Sequence, residues 1–172
     1  MYVFGIAGWS GSGKTTLLRG LIPLLVRRGV SVSTVKHAHH AFDVDKPGKD
    51  SHTHREAGAT EVMISSAHRW ALMHELRGAP EPLLADLIAH MTPVDLLLVE
   101  GFKYDPYDKL EVHRPALGKP LLAPEDPHVV AVASDAALPG LDRPVLPLND
   151  IAAIADFLLA RGGLESRLDG AA

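Results

Sequence analysis

A chain of 172 residues that is 47% hydrophobic and 22% charged has sequence enough for one packed domain and its core, which excludes a chain disordered beyond its ends. A formal net charge of -4 argues against nucleic acid as the main partner, and the absence of cysteine removes disulfides, thiolate metal sites and cysteine nucleophiles together. No apolar stretch approaches the roughly 18 residues of a membrane-spanning helix, and Met1 runs into a strand-like segment without a basic leader, so a cytoplasmic protein with no membrane contact is expected.

Tyr2 to Ala7 is short, apolar and bounded by glycine, as suits a strand buried on both faces of a parallel sheet. From Lys14 the residues Leu17, Leu18, Leu21, Leu24 and Leu25 recur at helical spacing, and Gly29 closes the pattern; Pro23 inside it predicts a bend. Val30 to Val35 alternates as a second strand. Lys36 to Gly58 has no sustained period and is rich in histidine, aspartate and lysine, the composition of a functional loop. "TEVMISS" (Thr60 to Ser66) and "RWALMHEL" (Arg69 to Leu76) read as a hairpin. Leu83, Leu84, Leu87, Ile88 and Met91 then have helical spacing, and "VDLLLVEGF" (Val94 to Phe102) is a second strongly buried strand. "KLEVHR" and "HVVAVAS" are further strands, and "NDIAAIADFLLARGG" is a final helix capped by Asn149 or Asp150 and stopped at Gly162. The alternation predicts an α/β fold: a three-layer, mostly parallel sheet with an inserted β-hairpin, one domain over 1–164 and a frayed tail over 165–172.

Chemistry concentrates first in "GWSGSGKTT". Gly8, Gly13, Lys14 and Thr15 satisfy G-x-x-x-x-G-K-[ST] between a buried strand and an amphipathic helix, where a P-loop belongs. Glycines let the backbone wrap a phosphate, the amides from Ser10 through Gly11, Ser12 and Gly13 to Thr15 point inward, and the helix start adds positive potential. Lys14 reaches the β and γ phosphates, the Thr15 hydroxyl is placed for Mg2+, and Thr16 for the α phosphate. The complementary carboxylate is Glu100, which ends its apolar strand at the carboxyl edge and acts on Mg2+ directly or through water. Asp95 starts the same strand about 15 Å away and reads as a strand-entry cap.

In the loop, Asp43, Asp45 and Asp50 are candidates to complete the metal shell or position water, and Arg55 to meet an anionic group; a solvated charged loop has the same composition. The histidines His37, His39, His40, His52 and His54 leave a transition-metal site open, though at no diagnostic spacing. No N-K-x-D guanine reader is present. "ASD", ending at Asp135, and "PLND", ending at Asp150, each offer a carboxylate for guanine and each fit a turn or cap.

Together "GWSGSGKTT", "VKHAHHAFDVDKPGKDS" with "REAGA", "LLLVEGFK" and "KLEVHR" resemble the bacterial molybdopterin-guanine dinucleotide biosynthesis protein B family, usually called MobB, in register from the first strand to about Asp150. The resemblance implies a P-loop NTPase fold of the class that includes dethiobiotin synthetase and nickel-inserting GTPases. It implies GTP and Mg2+ as ligands, a homodimer and at most weak GTPase activity. It also implies an adaptor role beside the guanylyltransferase, MobA, that joins GMP to molybdopterin, whether by delivering GTP or by handing over molybdopterin or the finished dinucleotide. Carried onto this chain, Gly11 to Thr16 become the phosphate cradle and Glu100 the magnesium-side carboxylate; Lys14, Glu100 and Asp45 are the catalytic candidates. Asp45, Asp50 and Arg55 become candidates facing the γ phosphate or pterin, and Asp135 a guanine contact. The hairpin, apolar on both faces, is the element expected at a dimer interface. Two alternatives stand beside this reading. A kinase or ligase of the dethiobiotin synthetase type shares the "VEG" strand end but continues into a glycine-rich turn, where this chain has Phe102 and Lys103. A metal-insertion GTPase would rest on the histidine loop.

Overall fold

The computed structural model describes residues 1–38 and 42–165. His39 and His40, and residues 166–172 of the tail expected over 165–172, lie outside the described residues. The chain divides into two compact units, one made of Met1–His37 with the chain from Thr92 onward, the other of Ala38–Met91.

The first unit is built on six parallel strands. These are β1 (Tyr2–Ala7), β2 (Val32–Lys36), β5 (Leu96–Glu100), β6 (Lys109–His113), β7 (Val129–Ser134) and β8 (Val145–Pro147), in the order β2-β5-β1-β6-β7-β8. Helix α1 (Lys14–Arg27) joins β1 to β2, and α4 (Ile151–Arg161) follows β8. Both pack on one face. Leu17, Leu18, Leu21 and Leu25 of α1 and Ile154, Ala155, Leu158 and Leu159 of α4 share a core with Phe4, Ile6, Leu96, Leu98, Leu110 and Val112. The helical period read from the leucines is therefore the buried stripe, and α1 is continuous through Pro23. Asp150 caps α4, accepting from the Ala153 amide at 3.0 Å, so the cap reading of "PLND" holds.

The opposite face of β6 buries charge. Lys109 is 1% exposed and Glu111 fully buried. Lys109 pairs with Asp126 at 2.9 Å, and Glu111 accepts from the amides of Leu122 and Ala123. Each buried charge is thus satisfied, as a low-dielectric site requires.

At the amino edge of the sheet Asp108 accepts from the Tyr2 hydroxyl at 2.9 Å and from Arg161 Nε at 2.6 Å. The Arg161 guanidinium holds the Asp108 carboxyl below the usual range, against the upward push of burial. A depressed carboxylate pKa contributes stability in full above the unfolded value of about 3.9 and loses it as pH falls through the lower folded value. Asp108→Asn is expected to lower stability at neutral pH, with the difference from wild type shrinking in strong acid; urea titrations at several pH values measure it.

The second unit contains α2 (Asp50–Glu56), the antiparallel hairpin of β3 (Glu61–Ser65) and β4 (Trp70–His74), and α3 (Leu84–Ala89). The hairpin has the predicted strands, with Val62 paired to Met73 and both buried. Helix α2 lies in the stretch with no hydrophobic period; it buries no residue, so nothing in the pattern could mark it. No described helix is long and apolar enough to cross a membrane.

Candidate functional site

Strand order places the site. The chain leaves β1 for β2 on one side and later passes from β5 across to β6 on the other, so the carboxyl end of β1 is the switch point where ligands enter open parallel sheets. Gly8 to Gly13 lie there. Gly13 caps α1 in the left-handed conformation, with φ 105°, and supplies no side chain, so the helix start faces outward without a protein cap. Ser10, Gly11, Gly13, Lys14, Thr15, Thr16, Lys36 and Glu100 line a cavity of about 400 Å³. The P-loop candidates and the strand-end carboxylate chosen from sequence therefore share one space. Ser12, the remaining loop candidate, has its side chain buried rather than in the cavity.

The Lys14 ammonium donates to the carbonyls of Gly8 at 2.8 Å and Trp9 at 3.0 Å. Burial lowers its pKa from the ordinary lysine value; Glu100 works in the opposite direction, and Lys36 adds to the lowering. Glu100 ends β5 in register with Ile6 of β1 and Lys36 of β2, which explains how a strand-end residue reaches the loop. Lys36 Nζ lies 3.8 Å from Glu100 Oε1. Lys36 was read only as the start of a loop, because its place beside Glu100 depends on strand register.

The turn after Glu100 is strained. Gly101 has φ +100° and a Cβ there would lie 2.5 Å from the His37 Cβ, so the "VEG" glycine is fixed by close approach of two strand ends. Phe102 follows at φ +46°, in the left-handed region that bulky residues avoid. The Tyr107 hydroxyl donates to the carbonyls of Gly101 at 3.1 Å and Phe102 at 2.8 Å, and burial raises its pKa well above the ordinary tyrosine value. Tyr107 thereby holds the turn that positions Glu100. Tyr107→Phe is expected to cost about 1 kcal/mol, because the Gly101 carbonyl loses the hydroxyl while the Phe102 carbonyl keeps the Asp105 amide at 3.1 Å, and to speed amide exchange at Phe102 and Lys103, read by mass spectrometry.

Arg114 is another residue the sequence did not single out. It follows β6, and its Nε donates to the Ser12 carbonyl at 3.0 Å while its terminal nitrogen donates to Asp135 at 2.5 Å. The register of His113 with Ser134 brings Arg114 beside Asp135, so the guanine candidate is tied to the phosphate loop through one guanidinium. Asp95 accepts from the Ser31 amide and hydroxyl, at 2.9 and 2.7 Å, as a strand-entry residue should.

The loop candidates belong to the second unit. Arg55 donates to Asp43 at 2.7 Å and to Glu75 at 3.4 Å, and its Nε lies 3.9 Å from Asp45. Its hydrogen bond is the main reason the Asp43 carboxyl lies below the usual range. Asp45 also accepts from the Ser51 hydroxyl at 2.8 Å, and Asp50 opens α2. Arg55 is thus held by three carboxylates of its own unit. Among the described residues no group of three histidine, aspartate or glutamate side chains is placed to hold a metal ion.

A model of a family described as molybdopterin guanine dinucleotide synthesis protein B matches residues 3–135. A molybdopterin-guanine dinucleotide biosynthesis adapter protein of Haemophilus influenzae is 48% identical over 160 residues, covering 91% of this chain and 86% of that one. The Escherichia coli protein of the same description is 46% identical over 160 residues, covering 91% of each. A crystal structure of a molybdopterin-guanine biosynthesis protein B superposes with a TM-score of 0.73 at 26% identity, over 92% of this chain and 99% of the other.

Proposed function

The chain belongs to the molybdopterin guanine dinucleotide synthesis protein B family, and on that premise we propose that it binds Mg-GTP and acts as an adaptor in molybdopterin guanine dinucleotide biosynthesis, serving the guanylyltransferase, MobA, in the cytoplasm. The observation that carries the reading is a cavity lined by Lys14, Thr15 and Glu100 together at the switch point of the sheet.

The residues fit a magnesium triphosphate. The uncapped start of α1 and the positive-φ glycines leave backbone donors for phosphate oxygens. The Lys14 ammonium, now on two loop carbonyls, is the mobile positive charge that moves to the β and γ phosphates. The Thr15 hydroxyl and Glu100 carboxylate are the oxygen donors a hard cation takes. Magnesium would supply charge neutralisation across the phosphates when bound. Asp135 presents the carboxylate to guanine, and Arg114 orients it. Because Glu100 already faces Lys36, we read hydrolysis as slow and the nucleotide as held rather than consumed.

Calorimetry with GTP, ATP and XTP in magnesium buffer, beside an assay of GMP transfer to molybdopterin by the guanylyltransferase, tests the reading. GTP binding tighter than ATP binding, with XTP preferred by Asp135→Asn, and higher transfer yield on adding the protein are expected. Equal affinity for ATP together with no effect on transfer would sink it.

The same reading includes a homodimer through the hairpin. Met63 pairs with Leu72 across β3 and β4, and with Trp70 they remain exposed on one face, an apolar strip that a second copy would cover. Sedimentation is expected to give a dimer that Leu72→Asp dissociates; an unchanged dimer places the interface elsewhere.

A further inference from the structure

Lys36 ends β2, and it lines the nucleotide cavity with Lys14 and Glu100. The other lining residues are serine, glycine and threonine, so two ammonium groups and one carboxylate set the charge of that space. Lys14 is tied to the carbonyls of Gly8 and Trp9. Lys36 is held differently: its Nζ lies 3.8 Å from Glu100 Oε1, an ion contact too long for a hydrogen bond, so its N–H donors are not taken by that carboxylate. The Lys36 side chain is 62% exposed, and an exposed ion pair of this kind contributes little to stability. Its field nevertheless reaches across the cavity to Lys14, whose pKa burial lowers and Lys36 lowers further. The backbone of Lys36 is fixed by its register with Glu100 in the β2–β5 ladder and by the His37 amide, which donates to the Glu100 carbonyl at 2.8 Å. Movement is left to the side chain.

Strand order gives the site a direction. Asp135 follows β7, Arg114 follows β6, the phosphate loop follows β1, Glu100 ends β5 and Lys36 ends β2, all at the carboxyl edge of parallel strands. The four steps from β7 to β2 span about 19 Å at about 4.8 Å per strand, the scale of an extended nucleoside triphosphate. With guanine at Asp135, the phosphates run over β1 toward β5, and Lys36 stands one strand beyond the magnesium-side carboxylate.

We propose that Lys36 contacts the terminal phosphate of the bound nucleotide and is the residue by which the site distinguishes a nucleoside triphosphate from a diphosphate. Once Glu100 serves magnesium, the Lys36 ammonium loses that counter-charge, and the terminal phosphate supplies another at the same end of the cavity. A diphosphate stops short of Lys36 and leaves it facing Glu100. Lys14 does not duplicate this task, because it serves the β phosphate as well as the γ and so holds both nucleotides. The proposal rests on the nucleotide reading above, in which Glu100 takes the metal and Asp135 the base.

The test is calorimetry on the full chain with GTP and with GDP, each in magnesium buffer, for the wild type, Lys36→Met and Lys36→Arg. The wild type is expected to favour GTP. Lys36→Met should weaken GTP binding about tenfold or more, the loss of a charge-assisted hydrogen bond, and GDP binding less than about fivefold, the loss of an exposed charge. Lys36→Arg should keep most of the preference for GTP, since the charge remains. Lys36 is exposed and outside the core, so the variants should fold; a thermal melt of each sample checks this, and Lys36→Gln replaces Lys36→Met should the latter melt early. Equal losses for GTP and GDP would reduce Lys36 to a general positive charge, and no loss for either would leave it a surface counter-ion of Glu100; both overturn the proposal. So does a preference lost as fully in Lys36→Arg as in Lys36→Met, or a wild type that binds GDP as tightly as GTP. Failure of the wild type to bind either nucleotide overturns the nucleotide reading itself.

Discussion

Lys14→Ala is expected to lose about 2–4 kcal/mol of triphosphate affinity, some 30- to 1,000-fold, because truncating one side of a desolvated charge pair leaves the other unpaired. The fold should survive. Lys14 is half-buried at the cavity and absent from the core, and its partners there are the carbonyls of Gly8 and Trp9, whose release costs about 1 kcal/mol or less each where water can reach them. Calorimetry with GTP and a thermal melt of the same sample check the two halves. A variant that binds GTP normally removes the site assignment, whereas a variant that unfolds shows Lys14 to be structural. Lys14→Met, which keeps the apolar stem, separates those outcomes.

Gly8→Ala is expected to act on the fold itself. Gly8 has φ +131°, and a Cβ built there lies 2.4 Å from the Val112 carbonyl oxygen and 2.9 Å from Ser12 Oγ. Val112 belongs to β6, between β1 and β7 in the middle of the sheet, so its backbone cannot yield without breaking ladders on both sides. Strain of about 1–3 kcal/mol from the backbone adds to about 1–3 kcal/mol for overpacking. Chemical denaturation should give a loss in the upper part of that combined range, together with loss of GTP binding. Gly29→Ala is the control: its φ is +79° but nothing lies within 4 Å of the added carbon, so only the left-handed penalty of about 1–2 kcal/mol applies. Equal losses at both positions would mean that the contact with Val112 carries no weight.

How much could be read beforehand follows the range of each interaction. The phosphate loop is local: glycines, lysine and threonine act through their own backbone within nine residues, so "GWSGSGKTT" states its geometry directly. Glu100 was legible for a related reason, since an apolar strand must end at the sheet edge and the carboxylate at its last position stays there. The fold class followed from alternating strands and helices. Resemblance to the family added what none of these residues states alone: the nucleotide, the partner and the pathway.

Tertiary structure decided the rest. Lys36 faces Glu100 only because β2 pairs with β5 in a register no local pattern encodes. Arg114 reaches both Ser12 and Asp135 only because β6 lies between β1 and β7. Arg55 and its aspartates read as a charged loop, and the ion cluster they form with Glu75 joins side chains from α2 and from just past the hairpin. Helix α2 buries nothing and so left no hydrophobic trace. The sequence by itself determined the elements and the phosphate grip, because both depend on neighbours along the chain. Only the fold determined which charges meet around that grip, because strand order and register bring together residues as far apart as Ser12, Arg114 and Asp135, and the chain records no distance between them.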